Sequence, residues 1–374
     1  MQSLRTIMVC ALAVMVCAAV PSTSFAVTSE TAPPAVGQGR SGLHDFDFLV
    51  GEWHVHHRRI QADTLKWVEF DGTCSNHKIM DGAANIEEHA LNAPNGPYRA
   101  IGLRSYDPKT ALWSIRWLDG RYPSGALDPP VRGRFENGVG KFYSDYQQDG
   151  KPMRGRLMWS RISSTSARWE QAASADGGKT WATNWIMKFE RVAATQAPSP
   201  PLAAPSNTAM GVHGFDFLLG DWRVHHRYLR VKGDQKGWVD VDGTCNNRAL
   251  MQGSANFEEH IFHTTAGITR AIALRSYDSK SEEWTIWWLD GRDPSGDMGP
   301  PVQGRFANGI GTFLGETTLA DKPVRVRLTW SHITPTSALW EQAYSSDAGR
   351  TWETNWVMEF RRQTADSQSF TGGT

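Results

Sequence analysis

Two stretches concentrate side chains able to move protons or hold a metal: HVHHR (54–58) and its counterpart RVHHR (223–227). Side chains alternate along an extended strand, so His54 and His56 point one way and His57 the other. Two imidazoles on a face fall short of the three or four ligands of a zinc site, and Arg223 removes even that pair from the second stretch. No metal is therefore expected at either. His57 and His226 share the face of Trp53 and Trp222. Enclosed, each would be a neutral imidazole, serving plainly as a hydrogen-bond partner and chemically as a base.

A second polar set repeats as NIEEH (85–89) and NFEEH (256–260). Period-two parity groups Glu88 with Ile86 and Ala90, and Glu259 with Phe257 and Ile261. Glu87, His89, Glu258 and His260 face the opposite way. Glu88 and Glu259 join His57 and His226 as candidate catalytic groups. LRSYD pairs Arg104 with Tyr106, and Arg275 with Tyr277. WLDGR places Trp117 with Asp119, and Trp288 with Asp290, with Arg121 and Arg292 at the rim. An enclosed carboxylate is costly unless paired, so an Arg–acid pair is either a brace or an anchor for a polar ligand group. No nucleophile elbow or phosphate-cradling glycine loop is present. Cys74 and Cys245 each follow an Asp-Gly turn, with no cation in the adjoining sequence to lower a thiol pKa.

Charge excludes some partners. The chain has 39 basic and 39 acidic residues, a formal net charge of +0, and no dense run of one sign. That removes the electrostatic footprint of a nucleic-acid binder. The segment 1–26 reads as a signal peptide: Arg5, an apolar run from Ile7 to Val20, then Ser24-Phe25-Ala26 as a small-x-small cleavage pattern. The run is short for a membrane span. Cleavage near Ala26 is expected, giving a periplasmic or secreted protein with no membrane insertion afterwards. Cys10 and Cys17 would leave with the peptide, and Cys74 and Cys245, one per copy, cannot form a bridge within a copy.

The elements that must position these groups come in duplicate. The stretch from His44 to Arg191 reappears from Gly214 to Arg362, with WLDGRYPSG matched by WLDGRDPSG and DGTC by DGTC. The expected division is 1–26 signal, 27–42 flexible segment, 43–192 first unit, 193–212 Pro/Ala-rich linker, 213–363 second unit and 364–374 tail. Within each unit the period is that of strands. Trp181, Thr183, Trp185, Met187, Phe189 and Arg191 alternate with Ala182, Asn184, Ile186, Lys188 and Glu190. Trp113, Ile115, Trp117 and Asp119 share another face. ENGVG, QQDGK and ADGGKT supply hairpin turns. An all-β architecture follows: two tandem antiparallel barrels.

FDFLVGEW (46–53) and FDFLLGDW (215–222) supply an apolar plug, a tight glycine turn and a Trp for the floor. Arg191 and Arg362, at the far ends of the copies, can stack on Trp53 and Trp222 to close each barrel. This pattern resembles the lipocalin-like (calycin-type) barrels, in which a Gly-x-Trp opens the first strand and an Arg from the last covers the Trp. More narrowly, FDFLxGxW, a central W-x-I-x-W and a closing SxDGGxTW look like a bacterial family of exported lipocalin-like proteins of uncharacterised function. SADGGKTW and SSDAGRTW also fit the Asp-box turn of sialidase propellers, but two boxes are too few for blades.

The expected function is binding of a small hydrophobic or aromatic molecule in each barrel, with no cofactor. Arg104, Tyr106, Trp117 and Asp119, with Arg275, Tyr277, Trp288 and Asp290, would hold it. The alternative is general acid–base isomerisation, cyclisation or elimination of a hydrophobic substrate, with Arg104 or Tyr106 steadying an oxyanion. A third possibility is haem capture on an inward His, as in the related nitrobindin barrels.

Overall fold

A computed structural model describes residues 42–363, apart from 62–63, 126, 128, 193–210, 233–234 and 320–321. The expected signal peptide and its cleavage site, nearly all of the linker, and the tail lie outside the described residues.

Alternation produces strands throughout. The first barrel comprises β1 (Gly51–Ile60), β2 (Trp67–Ile79), β3 (Ala84–Leu91), β4 (Tyr98–Asp107), β5 (Leu112–Asp119), β6 (Val131–Glu136), β7 (Val139–Gln148), β8 (Lys151–Ser160), β9 (Ser166–Ser174) and β10 (Ala182–Arg191). The second repeats it as β11 (Gly220–Lys232), β12 (Gln235–Leu250), β13 (Ala255–Thr264), β14 (Gly267–Asp278), β15 (Glu283–Asp290), β16 (Val302–Ala307), β17 (Ile310–Leu319), β18 (Lys322–Ser331), β19 (Ser337–Ser345) and β20 (Glu353–Arg362). Every strand pairs antiparallel with its sequence neighbours, and the last pairs with the first, so both sheets are closed. The chain is therefore all-β, a tandem of two antiparallel barrels. No helix among the described residues is long and apolar enough to cross a membrane.

Turn chemistry sets the register. Asn137-Gly138, Asp149-Gly150 and Asn308-Gly309 all hold positive φ at both positions, the two-residue mirror-image turn that suits strand twist. The strict alternation expected for β10 breaks at a bulge between Thr183 and Trp185. The bulge turns Asn184 inward, where it accepts a hydrogen bond from Gln171 Nε2 at 3.1 Å.

The floor is built by the opening motif. Gly51 and Gly220 sit at φ +115 and +104, and a Cβ on either would lie 2.7 or 3.1 Å from the Arg191 or Arg362 Nη1. The chain needs glycine there twice over, for conformation and for space. The Arg191 guanidinium lies 4.1 Å over the Trp53 ring and Arg362 lies 4.2 Å over Trp222. Arg191 also donates to Val50 O at 2.6 Å, to Ser164 O at 2.7 Å and to Phe48 O. Beneath lies an aromatic plug in which Phe46 meets Trp113 and Phe135 edge-on, each 5.0 Å away.

The two barrels dock. The strands explain it: β3, β4 and β5 are buried on both faces. Their outer residues Ile86, Ile101, Leu103 and Leu118 form one buried cluster with Phe257, Ile272, Leu274 and Leu289 of the second barrel. The contact is reciprocal, like that of a two-fold dimer. Met80 packs where a Cβ on Gly291 would stand, and Met251 does the same at Gly120. The symmetry is incomplete. Arg116 of β5 stands where β15 has Trp287, and it donates to the Pro294 carbonyl at 3.3 Å and to the Gly296 carbonyl.

Candidate functional site

The lumen of each barrel holds a buried polar cluster above the aromatic plug. In the first, Glu87 is the hub. Arg104 donates to it and, at 3.0 Å, to Asn85 Oδ1; the Cys74 thiol donates across 3.7 Å; His89 Nε2 lies 3.2 Å away. Burial alone would raise the Glu87 carboxyl, but Arg104 and then His89 outweigh it and hold it at about 2. The second barrel repeats the arrangement. Cys245 Sγ and His260 Nε2 each lie 2.9 Å from Glu258 Oε1, and Arg275 pairs with the other oxygen. Arg104 and Arg275 also cap the plug, 4.9 and 4.7 Å over Phe46 and Phe215.

These are brace geometries. Each carboxylate accepts from a thiol and a guanidinium, with an imidazole nitrogen close by, and the guanidinium neutralises it, the condition for keeping it buried. Cys74, Glu87 and His89, like Cys245, Glu258 and His260, offer ligand atoms within 4.8 Å of one another. They are the described residues best placed to hold a metal, a grouping the sequence reading did not anticipate. The fit is poor, because the guanidinium already supplies the positive charge that a cation would bring. The thiol is also held protonated: burial and Glu87 push Cys74 well above its usual range, and Arg104 opposes this only in part. The cation that Cys74 lacked in the adjoining sequence is thus present in space without activating it.

His57 and His226 do face inward and are wholly buried. Trp185 Nε1 donates to His57 Nδ1 at 3.2 Å, and Phe70 stacks on its ring at 4.7 Å. Its Nε2 is pressed against β2, where a Cβ on Gly72 would lie 3.1 Å away. Burial, reinforced by the nearby His89, lowers His57 to about 3; burial and His260 lower His226 to about 2. A base this weak is ill matched to neutral pH. The same wedging leaves Nε2 no room for a haem iron.

Glu88 and Glu259 require a correction. They lie on the outer faces of β3 and β13, not in the lumen. Glu88 accepts from the backbone N–H of Met251 at 2.9 Å, and Glu259 from that of Met80 at 2.6 Å. Neither can reach a molecule inside a barrel. Tyr106 and Tyr277 sit at the plug, against Trp113 and Trp284. They are therefore remote from any ligand admitted at the opposite end.

That end is the mouth. Trp117 and Trp288 are only partly buried there, with His89 and His260 at 5.2 and 5.5 Å between ring centres. Trp185 stands edge-on to both Trp117 (6.2 Å) and Trp169 (5.5 Å). In the second barrel Trp356 stands likewise to Trp288 (5.9 Å) and Trp340 (5.4 Å). Asp119 and Asp290 lie at the rim, gripped by Arg121 and Arg292 at 2.6 and 2.5 Å. His89 Nδ1 and His260 Nδ1 are buried without a hydrogen-bond partner. The sequence reading missed Arg59 and Tyr98, which complete the first rim: Arg59 Nη1 donates to Tyr98 Oη at 3.1 Å. Arg59 shares the parity of Trp53 and His57, and that signal was available.

No family model matches the chain, and no curated protein matches it. Among solved structures, the chain is similar to a protein of unknown function from the DUF3598 family of Nostoc punctiforme. The identity is 11% and the TM-score 0.27, over 87% of this chain and 100% of that one. It is also similar to a mutant of the vaccine antigen transferrin binding protein B from Haemophilus parasuis, at 8% identity and TM-score 0.18, over 84% and 76%. A mutant Rh. blastica porin follows at 7% and 0.16, over 83% and 98%. Likenesses this distant say nothing about what the chain does.

Proposed function

We propose that the chain is an exported tandem barrel protein that binds a small aromatic or otherwise apolar molecule at the mouth of each lumen. One observation carries this: in both barrels three tryptophans stand edge-to-face at the same end, with one partly exposed above an unpartnered imidazole nitrogen. Such a cage suits a flat ring, and His89 Nδ1 or His260 Nδ1 offers its polar end a hydrogen bond. Trp117 and Trp288 form the face that a ligand would cover. Asp119 and Asp290 fix the rim arginines, and Arg104 and Arg275 support the site from below. Outer-face residues such as His54, Arg58, Lys188 and Glu190 suit water better than lipid.

The acid–base alternative gains no support from this arrangement. Two of its candidate bases lie outside the lumen, and the other two are held far below neutral pKa values. The reading is tested by titrating aromatic compounds into the full chain and following tryptophan fluorescence. Saturable quenching is expected, with one site lost in Trp117→Ala and the other in Trp288→Ala. Quenching that never saturates, or that neither substitution changes, would end it.

A further inference from the structure

The two mouths are not equivalent, and their polar difference is one of charge. In the first barrel Arg59 projects inward one step beyond His57, half-buried, with its guanidinium 4.3 Å over the Trp185 ring. It donates to Tyr98 Oη, and the Arg121 guanidinium lies 3.9 Å over the Tyr98 ring. The charged groups that Tyr98 experiences are Arg59, Arg121 and Asp119. Asp119 is committed to Arg121 through two short hydrogen bonds, of 2.9 and 2.6 Å. No carboxylate pairs with Arg59 among the described residues, which leaves one cationic charge at a mouth walled by tryptophan.

The second barrel lacks this arrangement. Tyr228 replaces Arg59 and Thr269 replaces Tyr98, while Asp290 and Arg292 remain as a neutral pair. Without a tyrosine ring to lie on, the Arg292 side chain is 75% exposed, against 31% for Arg121. The three tryptophans and the imidazole recur at both mouths, and the second adds one ring, Phe262 in place of Leu91, 5.7 Å from His260 and 6.2 Å from Trp356. The added ring is apolar, so the polar selection of ligand still falls on the Arg59 and Tyr98 positions.

We propose that the first barrel selects an aromatic ligand bearing an acidic group, held by Arg59 and Tyr98, whereas the second takes an uncharged one. An anion at the first mouth would receive free guanidinium N–H groups and the phenolic proton, since Tyr98 Oη accepts from Arg59 and keeps its own hydrogen to donate. Trp185 beneath the guanidinium holds it flat, so little freedom is lost on binding. This inference rests on the mouth-binding reading above and adds the ligand class.

Two probes with one skeleton separate the questions: 8-anilinonaphthalene-1-sulfonate, an anion, and N-phenyl-1-naphthylamine, its neutral counterpart. The full chain should bind the neutral probe at both mouths and the anion at the first alone. Arg59→Gln should weaken the anion by about tenfold or more, the order set by losing one charge-assisted hydrogen bond, and leave the neutral probe unchanged. The transplant Tyr228→Arg with Thr269→Tyr should create a second anion site, which guards against misfolding of the first variant. If neither probe binds saturably, the mouth-binding reading falls and the selectivity with it. If both bind but the anion ignores Arg59→Gln and gains nothing from the transplant, only the charge selection is overturned.

Discussion

Glu88 accepts the backbone N–H of Met251 at 2.9 Å and holds the turn at the end of β12 against the first barrel. Arg99 steadies the carboxylate from within its own barrel at 2.7 Å. The mirror contact joins Glu259 to Met80 at 2.6 Å, with Arg270 at 3.6 Å from the acid. Both methionines occupy left-handed backbone, at φ 53 and 49, where a non-glycine residue costs about 1–2 kcal/mol. The docked apolar faces and these two acceptors together hold that geometry.

Removing an acceptor should therefore loosen the docking and spare the barrels. Glu88→Ala and Glu259→Ala are each expected to cost about 1–3 kcal/mol, the price of leaving a part-buried donor unmet. Differential scanning calorimetry should show the single transition split, with the circular dichroism of each barrel unchanged. A transition that stays single at its original temperature in the double variant would show that the acids do not matter to docking.

Barrel closure makes a sharper demand. Arg191 joins its first and last strands by stacking on Trp53 and by feeding three carbonyls, Val50, Phe48 and Ser164. Lysine keeps the charge but lacks the planar fork. Arg191→Lys is expected to lower stability by about 2–3 kcal/mol in urea unfolding, and Gly51→Ala to match or exceed it, since φ there is +115. The equivalents Arg362→Lys and Gly220→Ala should act on the second barrel alike.

The barrels and their floors were legible because each reading needed only period two and a duplicated motif. Trp53, His57, Arg104 and Trp117 fell on the inner face by parity alone. Glu87 and Glu88 could not be told apart in that way. Ile86 beside Glu88 reads as a core residue, and it is one, but the core it belongs to lies between the barrels. AIGLRSYD and WSIRWLD carry apolar residues on both faces, Ala100 and Tyr106 against Ile101 and Leu103, and Trp113 and Ile115 against Leu118, a signal of burial on both sides. The bulge that turns Asn184 inward left no mark in composition, and the Cys74–Glu87–His89 cluster depends on a register between β2 and β3 that no local pattern fixes.

Acid should unfold the chain in two stages, beginning with the histidines. Burial depresses His57 and His260 to about 3 and His226 to about 2, from 6.5. The unfolded chain takes up those protons and the folded chain does not, so this stability is present above pH 6.5 and is lost as pH falls toward those values. Glu87 follows the same sign from 4.5 down to about 2. The slope between pH 6.5 and 4.5 should be about 1.4 kcal/mol per pH unit for each such histidine. His57→Gln with His226→Gln should reduce it to the contribution of His260. Equilibrium denaturation across that range decides the matter, and a wild-type slope near zero would mean that these imidazoles titrate normally.

The interior thiols offer the last check, because they belong to the polar cluster and report whether it is closed. Cys74 and Cys245 are free, buried and held protonated by burial, and each donates to a carboxylate that a guanidinium neutralises. A thiolate beside Glu87 or Glu258 would add a second buried anion to one cation, so deprotonation amounts to breaking the cluster. Both thiols should resist a disulfide reagent at pH 8 in the native chain and react fully in denaturant, with native labelling no faster than global unfolding. Mass mapping assigns the labelled peptides. In Arg104→Met both Glu87 and Cys74 lose the cation beside them, so the thiol is pushed higher still, and Cys74 should label only through unfolding, faster than in the unaltered chain because the variant is less stable. Rapid native labelling of either thiol in the unaltered chain would mean that the lumen is open to water at its polar layer, and that the brace assigned to Arg104 and Glu87 is not closed.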